Sequence, residues 1–119
     1  MGRKSVVHSY DMFAEQATPS MAASLTSNIT NVEQIDKISI HCSWAAGPEG
    51  SFTVQARNGT KDAWYNLEFS SSTAIVAADD SAQFLFLECP FTDIRLLWVP
   101  TNLVASTLTA KYTAKVTGA

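Results

Sequence analysis

The sequence is poor in the residue types that most catalytic and metal-binding chemistry requires. Among 119 residues it holds two histidines, His8 and His41, and two cysteines, Cys42 and Cys89. Nucleophilic catalysis needs Ser or Cys beside a base and an orienting carboxylate. His41 falls on the polar face of an alternating run, where a solvent-facing or interface histidine is the ordinary reading. No G-x-S-x-G elbow, phosphate loop or dinucleotide fingerprint is present. His41 and Cys42 are adjacent, and neighbours on a strand point to opposite faces, so they do not share a metal ion. The expectation is a protein without catalytic residues, metal or cofactor. Both cysteines sit in or at the end of strand-like runs and read as small buried hydrophobes, with a disulfide between them as the alternative.

Charge is equally scarce. Eight Lys and Arg stand against eleven Asp and Glu, a net charge of −3, and Arg3-Lys4 is the only basic pair. Nucleic-acid binding needs clustered cations, so that partner is not expected. No apolar stretch approaches the ~18 residues that span a bilayer, and no membrane insertion is expected. Met1 to Phe13 lack the apolar run of a signal peptide, and Val6 stands where a myristoylation signal needs Ser or Thr. Synthesis in the cytoplasm is therefore expected, and Asn28-Ile29-Thr30 and Asn58-Gly59-Thr60 read as chance matches to the glycosylation pattern. With 46% hydrophobic and 16% charged residues, disorder and coiled coil are excluded. The length suits a single domain over residues 1–119.

What is present is a succession of short runs rich in Val, Ile, Thr and aromatic residues, punctuated by Gly, Pro, Asn, Asp and Ser. From Ile35 to Trp44, Ile38, Ile40, Cys42 and Trp44 share one face, with Lys37, Ser39, His41 and Ser43 on the other. After Gly47-Pro48-Glu49-Gly50, the residues Phe52, Val54 and Ala56 alternate against Ser51, Thr53 and Gln55. The short Gly/Pro turn between the two runs predicts a hairpin. Asn58-Gly59 predicts a type I′ turn. It leads into a strand from Trp64 through Phe69. Further strands are expected at 75–77, 83–87 and 92–99, the last with Ile94, Leu96 and Trp98 on its apolar face. The final run, Thr107 to Thr117, alternates Leu108, Ala110, Tyr112, Ala114 and Val116 with Thr and Lys. Left as a sheet edge, its lysines would discourage pairing and association would cover it. Residues 1–23 read as an N-terminal arm or a first strand, and 22–30 as another strand. The fold class is all-β: an antiparallel, jelly-roll-like sandwich of about seven to nine strands.

Three polar groupings invite attention. Asp79-Asp80 lies in a Ser-flanked turn, where aspartates bonding their own backbone account for both. Asp93 and Arg95, two apart on one face, predict an exposed ion pair. Trp64-Tyr65 differs, because one of two adjacent rings must point away from the core. An outward ring suits stacking on a sugar or filling a subunit interface, and a partly covered aromatic is the ordinary alternative. Trp64 and Tyr65, with Arg57 and Asp62 beside them, form the candidate interaction surface.

The order of these segments resembles that of a group of short tailed-bacteriophage virion structural proteins. Carrying the resemblance are Ser24–Thr30, Ile35–Trp44, Gly50-Ser51-Phe52-Thr53-Val54-Gln55-Ala56, Trp64-Tyr65-Asn66-Leu67, Phe91-Thr92-Asp93-Ile94-Arg95-Leu96-Leu97-Trp98 and Leu108-Thr109-Ala110-Lys111. In that group a G-x-F-x-V-x-x-S-N-D-G segment precedes a Trp and a Y-I-R-L-x-Y strand, and a G-x-L-x-A strand closes the chain. Discoidin-like and carbohydrate-binding jelly rolls share part of this order. This chain departs in having Arg57 where Ser is usual, and in a shorter, less Gly-rich final loop. The resemblance implies a virion location, a homo-oligomer of three or more copies, contacts with other virion proteins, and adhesion to surface glycans as the alternative role.

Overall fold

The computed structural model describes residues 5–16, 18–67, 73–86 and 88–117, and ten β-strands lie among them. These are β1 Ser5–Asp11, β2 Leu25–Thr26, β3 Thr30–Asn31, β4 Lys37–Ser43, β5 Gly50–Arg57, β6 Tyr65–Asn66, β7 Thr73–Ile75, β8 Ser81–Phe86, β9 Asp93–Pro100 and β10 Thr109–Thr117. They form two antiparallel sheets, the all-β sandwich that the period-two pattern predicts. One sheet has the order β1-β10-β4-β8. The other centres on β9 and β5, with β2 and β3 both beside β9 and β6 and β7 both beside β5.

The alternating faces meet across the sandwich. Ile38, Ile40, Cys42, Phe52, Val54, Ala56, Ile94, Leu96, Trp98, Leu108, Ala110 and Ala114 are all buried, which is the face assignment expected from each run. Trp98, fully buried, lies 4.7 Å from Phe52, and Phe52 in turn lies 5.4 Å from Trp44 and 6.4 Å from Phe84, centroid to centroid. Tilted and edge-on pairs at this spacing add to the area they bury. The Trp98 indole N–H donates to the Met21 carbonyl at 3.0 Å, so its one polar atom is satisfied in the core.

The expected hairpin between Ile35–Trp44 and Ser51–Ala56 does not form. β4 pairs with β10 and β8, whereas β5 pairs with β9, β6 and β7. Residues 44–49 are instead an arch from one sheet to the other, because the two apolar faces are worth more facing each other than side by side. Gly47 takes a positive φ of 136° at this arch. Gly50 lies opposite Pro100, where a Cβ would collide with the Val99 carbonyl oxygen and the Trp98 ring.

Other expectations are also corrected. Asn58 does not have positive φ and only Gly59 does, so the turn is not type I′. The Asp62 carboxylate closes that loop by accepting from the Asn58 N–H at 3.0 Å and the Ala63 N–H at 3.0 Å. The strand expected from Trp64 is two residues long, and Phe69 lies outside the described residues. Pro100 is the last residue of β9 and not beyond it. β10 is not an edge, since β1 covers one side and β4 the other.

Within the N-terminal third, Ser5–Asp11 pairs along its length with β10, from Ser5 opposite Thr117 to Asp11 opposite Lys111. Met12, Phe13 and Met21 follow it into the core. Between β2 and β3 the buried Ser27 interrupts the strand. Its hydroxyl accepts from the Leu96 N–H at 2.8 Å and donates to the Asn28 carbonyl at 3.0 Å, replacing part of the ladder.

Cys42 and Cys89 are free thiols. Burial pushes the Cys42 thiol up to about 12. Burial, followed by the charge of Asp36, pushes Cys89 up to about 11.

Two outcomes are expected from these contacts. Phe52→Ala costs roughly 3–5 kcal/mol in urea unfolding, while Ser27→Ala, which strands the Leu96 N–H, costs about 1–3 kcal/mol. Because the folded state holds the Cys42 proton more tightly than the unfolded chain, its contribution is whole below pH 9 and is lost as pH rises toward 12. The urea midpoint therefore falls over that window, and Cys42→Ala, whatever its cost at pH 8, flattens the fall.

Candidate interaction surface

The alternation of β5 and β9 places Gln55, Arg57, Asp93 and Arg95 on the outer face of their sheet. Register sets Arg57 opposite Asp93 and Gln55 opposite Arg95. The expected Asp93–Arg95 pair is not made. Arg57 Nε instead meets Asp93 Oδ2 at 2.9 Å, with both side chains largely covered. Arg95 Nε donates to Gln55 Oε1 at 2.9 Å, and Gln55 Nε2 donates to Asn66 Oδ1 at 3.0 Å. Thr92 completes the cluster: its hydroxyl accepts from the Gly59 N–H at 2.6 Å and donates to the Arg57 carbonyl at 3.2 Å.

Trp64 is built into this group. The Arg57 guanidinium lies 4.5 Å from the centre of its ring and that of Arg95 lies 4.3 Å away. Burial and the neighbouring Arg57 charge lower the Arg95 pKa, as two cations sharing one ring demands. The ring's negative face offsets part of their repulsion, and Asp93 neutralises one of them. Trp64 is thus half-buried, with two arginine guanidiniums stacked against its ring. Tyr65 lies opposite Ala56 in the register and is 42% exposed. Of the residues expected together, Trp64 and Arg57 meet. Asp62 is committed to its own loop, and Arg95, Gln55 and Asn66 are members that the sequence reading missed. The alternation of Gln55 with Arg57, and of Arg95 with Asp93, was the available signal.

A shallow groove of about 460 Å³ is lined by Glu33, Ile35, Asp36, Lys37, Glu88, Cys89 and Pro90, and the thiol in it is held protonated by burial. Among the described residues no group of three or more His, Cys, Asp or Glu is placed to hold a metal ion. His41 is exposed on β4, between Lys111 and Gln83 of the adjoining strands. Asp79 accepts from the Val76 N–H at 3.1 Å, so it caps its own turn as expected.

The stacked cluster yields a measurable coupling. A double-mutant cycle of Arg57→Ala and Trp64→Ala gives an interaction energy of about 0.5–2 kcal/mol in stability. A coupling near zero would mean that the arginine is held by Asp93 alone.

No protein-family model and no curated protein sequence matches the chain. Solved structures do match in fold. The SPBc2 prophage-derived protein YomS is similar at a TM-score of 0.66 and 11% identity, over 94% of this chain and 95% of that one. The infectious bursal disease virus VP2 subviral particle gives a TM-score of 0.57 at 14% identity, over 98% of this chain and 34% of that one. The T13 particle of the same virus gives 0.58 at 10% identity. This chain spans about a third of each of those two viral chains. The sandwich is therefore a fold shared with a prophage-derived protein and with viral particle proteins.

Proposed function

We propose that this chain is a non-enzymatic structural or accessory protein of a bacteriophage virion, a head decoration, head–tail or tail component. It acts through self-assembly and contacts with other virion proteins. The observation that carries the reading is the likeness to the prophage-derived protein, which runs nearly the full length of both chains. The likeness to viral particle proteins, the broad outer sheet faces and the order of segments that resembles phage virion proteins support it. An outer face dressed with partnered charges suits a surface read by contact, and Arg57, Asp93 and Arg95 on it each have a partner.

A glycan-binding role has one observation in its favour, the exposed Tyr65 ring at the sheet edge. Against it, two arginines already stack on the Trp64 ring.

The deciding experiment is quantitative mass spectrometry of particles purified from an induced lysate of the strain that carries the sequence. Multiple copies per particle are expected. Absence from particles, with the chain abundant in the soluble fraction, would overturn the virion reading. Retention on a glycan array that Tyr65→Ala abolishes would then support adhesion.

A further inference from the structure

The edges of the two sheets are treated very differently. Beside β9 and β5 the outer positions are filled by pieces of two or three residues, Leu25–Thr26, Thr30–Asn31, Tyr65–Asn66 and Thr73–Ile75. An interrupted edge offers no continuous row of free backbone groups, which is one way of preventing edge-to-edge pairing. Among the described residues the four-stranded sheet has no such protection. Its edges are β1, seven residues long, and β8, six residues long, both uninterrupted. The lysines that would guard an edge, Lys111 and Lys115, sit on the internal strand β10.

β8 is the barer of the two edges. It reads Ser81-Ala82-Gln83-Phe84-Leu85-Phe86, without a charge, a proline or a glycine, and Leu85 on it is 64% exposed. Among the described residues it is paired on the β4 side alone. β1 carries Asp11, which is exposed.

We propose that β8 is the docking edge for a second copy of this chain, joined antiparallel to β8 of that copy about a twofold axis. Two four-stranded sheets then become one of eight strands. The inference rests on the self-assembly proposed above and names its contact. Charge selects the occupant. Each chain carries a net charge of −3, and a twofold contact sets an edge against an identical edge, so an edge carrying charge of one sign meets the same sign. β8 is the long edge with no charge to repel. Antiparallel strands are also self-complementary in their hydrogen bonds. With the axis at Gln83, Leu85 of one copy lies against Ser81 of the other, covering an exposed apolar side chain. Assemblies of more than two copies built on this contact contain an even number.

The test is light scattering after gel filtration, across dilution, on the full chain and two variants. The unaltered protein is expected at an even multiple of the chain mass. Gln83→Lys with Leu85→Lys, which sets two cations on each edge against the same two on the other copy's edge, is expected at one-half of that mass or less, with cooperative unfolding retained. Val99→Lys, on the outer face of the other sheet, is expected to leave the mass unchanged. If the Lys pair keeps the original mass, the β8 contact is overturned while self-assembly stands. An unaltered protein that is monomeric at every concentration overturns both. Gln83→Cys in a Cys89→Ser background supplies an independent reading should the Lys pair fail to fold. Mild oxidation is expected to give a covalent dimer, and its absence in a protein that still self-associates overturns the twofold arrangement.

Discussion

The sandwich depends on keeping Trp98 dry. Its ring is fully buried near the end of β9, and it reaches Phe52 across to the neighbouring strand and Gly50 at the close approach of β5. Around it the requirements propagate. Gly50 has no side chain because the ring occupies that space. Met21 turns its carbonyl inward because the indole N–H needs an acceptor. Phe52 then passes the contact to Trp44 and Phe84, and through them to the opposite sheet. A large aromatic at a crossing point settles sheet separation and register together, since a one-residue slip would put it in solvent.

With the inner faces committed, the outer faces are free to differ. The four-stranded sheet presents Thr, Ser and Lys along β10 and β4. The six-stranded sheet presents a packed array in which two arginines, a tryptophan, an aspartate and two amides satisfy one another. Arg57, the residue that departs from the phage pattern, is central to this array. That array holds its side chains in fixed positions before any partner arrives, which lowers the entropy lost on contact.

The fold class was legible because period two is a local signal. Ile38, Ile40 and Cys42, like Phe52, Val54 and Ala56, declare their buried face without knowing what covers it. Which strand pairs with which was not legible. The short Gly/Pro turn after Trp44 has the composition of a hairpin, yet it is an arch, because composition fixes backbone freedom and not the direction taken. The burial of Met12, Phe13 and Met21 was missed for a related reason: their segment has no periodicity, and tertiary contact alone draws them in. At the candidate surface the pair Trp64-Tyr65 was found from adjacency. Arg95 was assigned to Asp93, two residues away, because the true partners Gln55 and Trp64 are near only once β5 and β9 are aligned.

The pairing of β1 with β10 has a consequence for how the chain is made. β10 lies between β1 and β4, so the last of the ten described strands is the one that joins the four-stranded sheet together. On the ribosome, β1 has emerged long before β10, its strand partner among the described residues, and β4 has β8 on one side with the other side open. The β9–β5 layer can be complete while the opposing layer is still in two pieces. Closure of that layer then waits for β10, whose nine residues supply backbone partners to β1 and β4 at once.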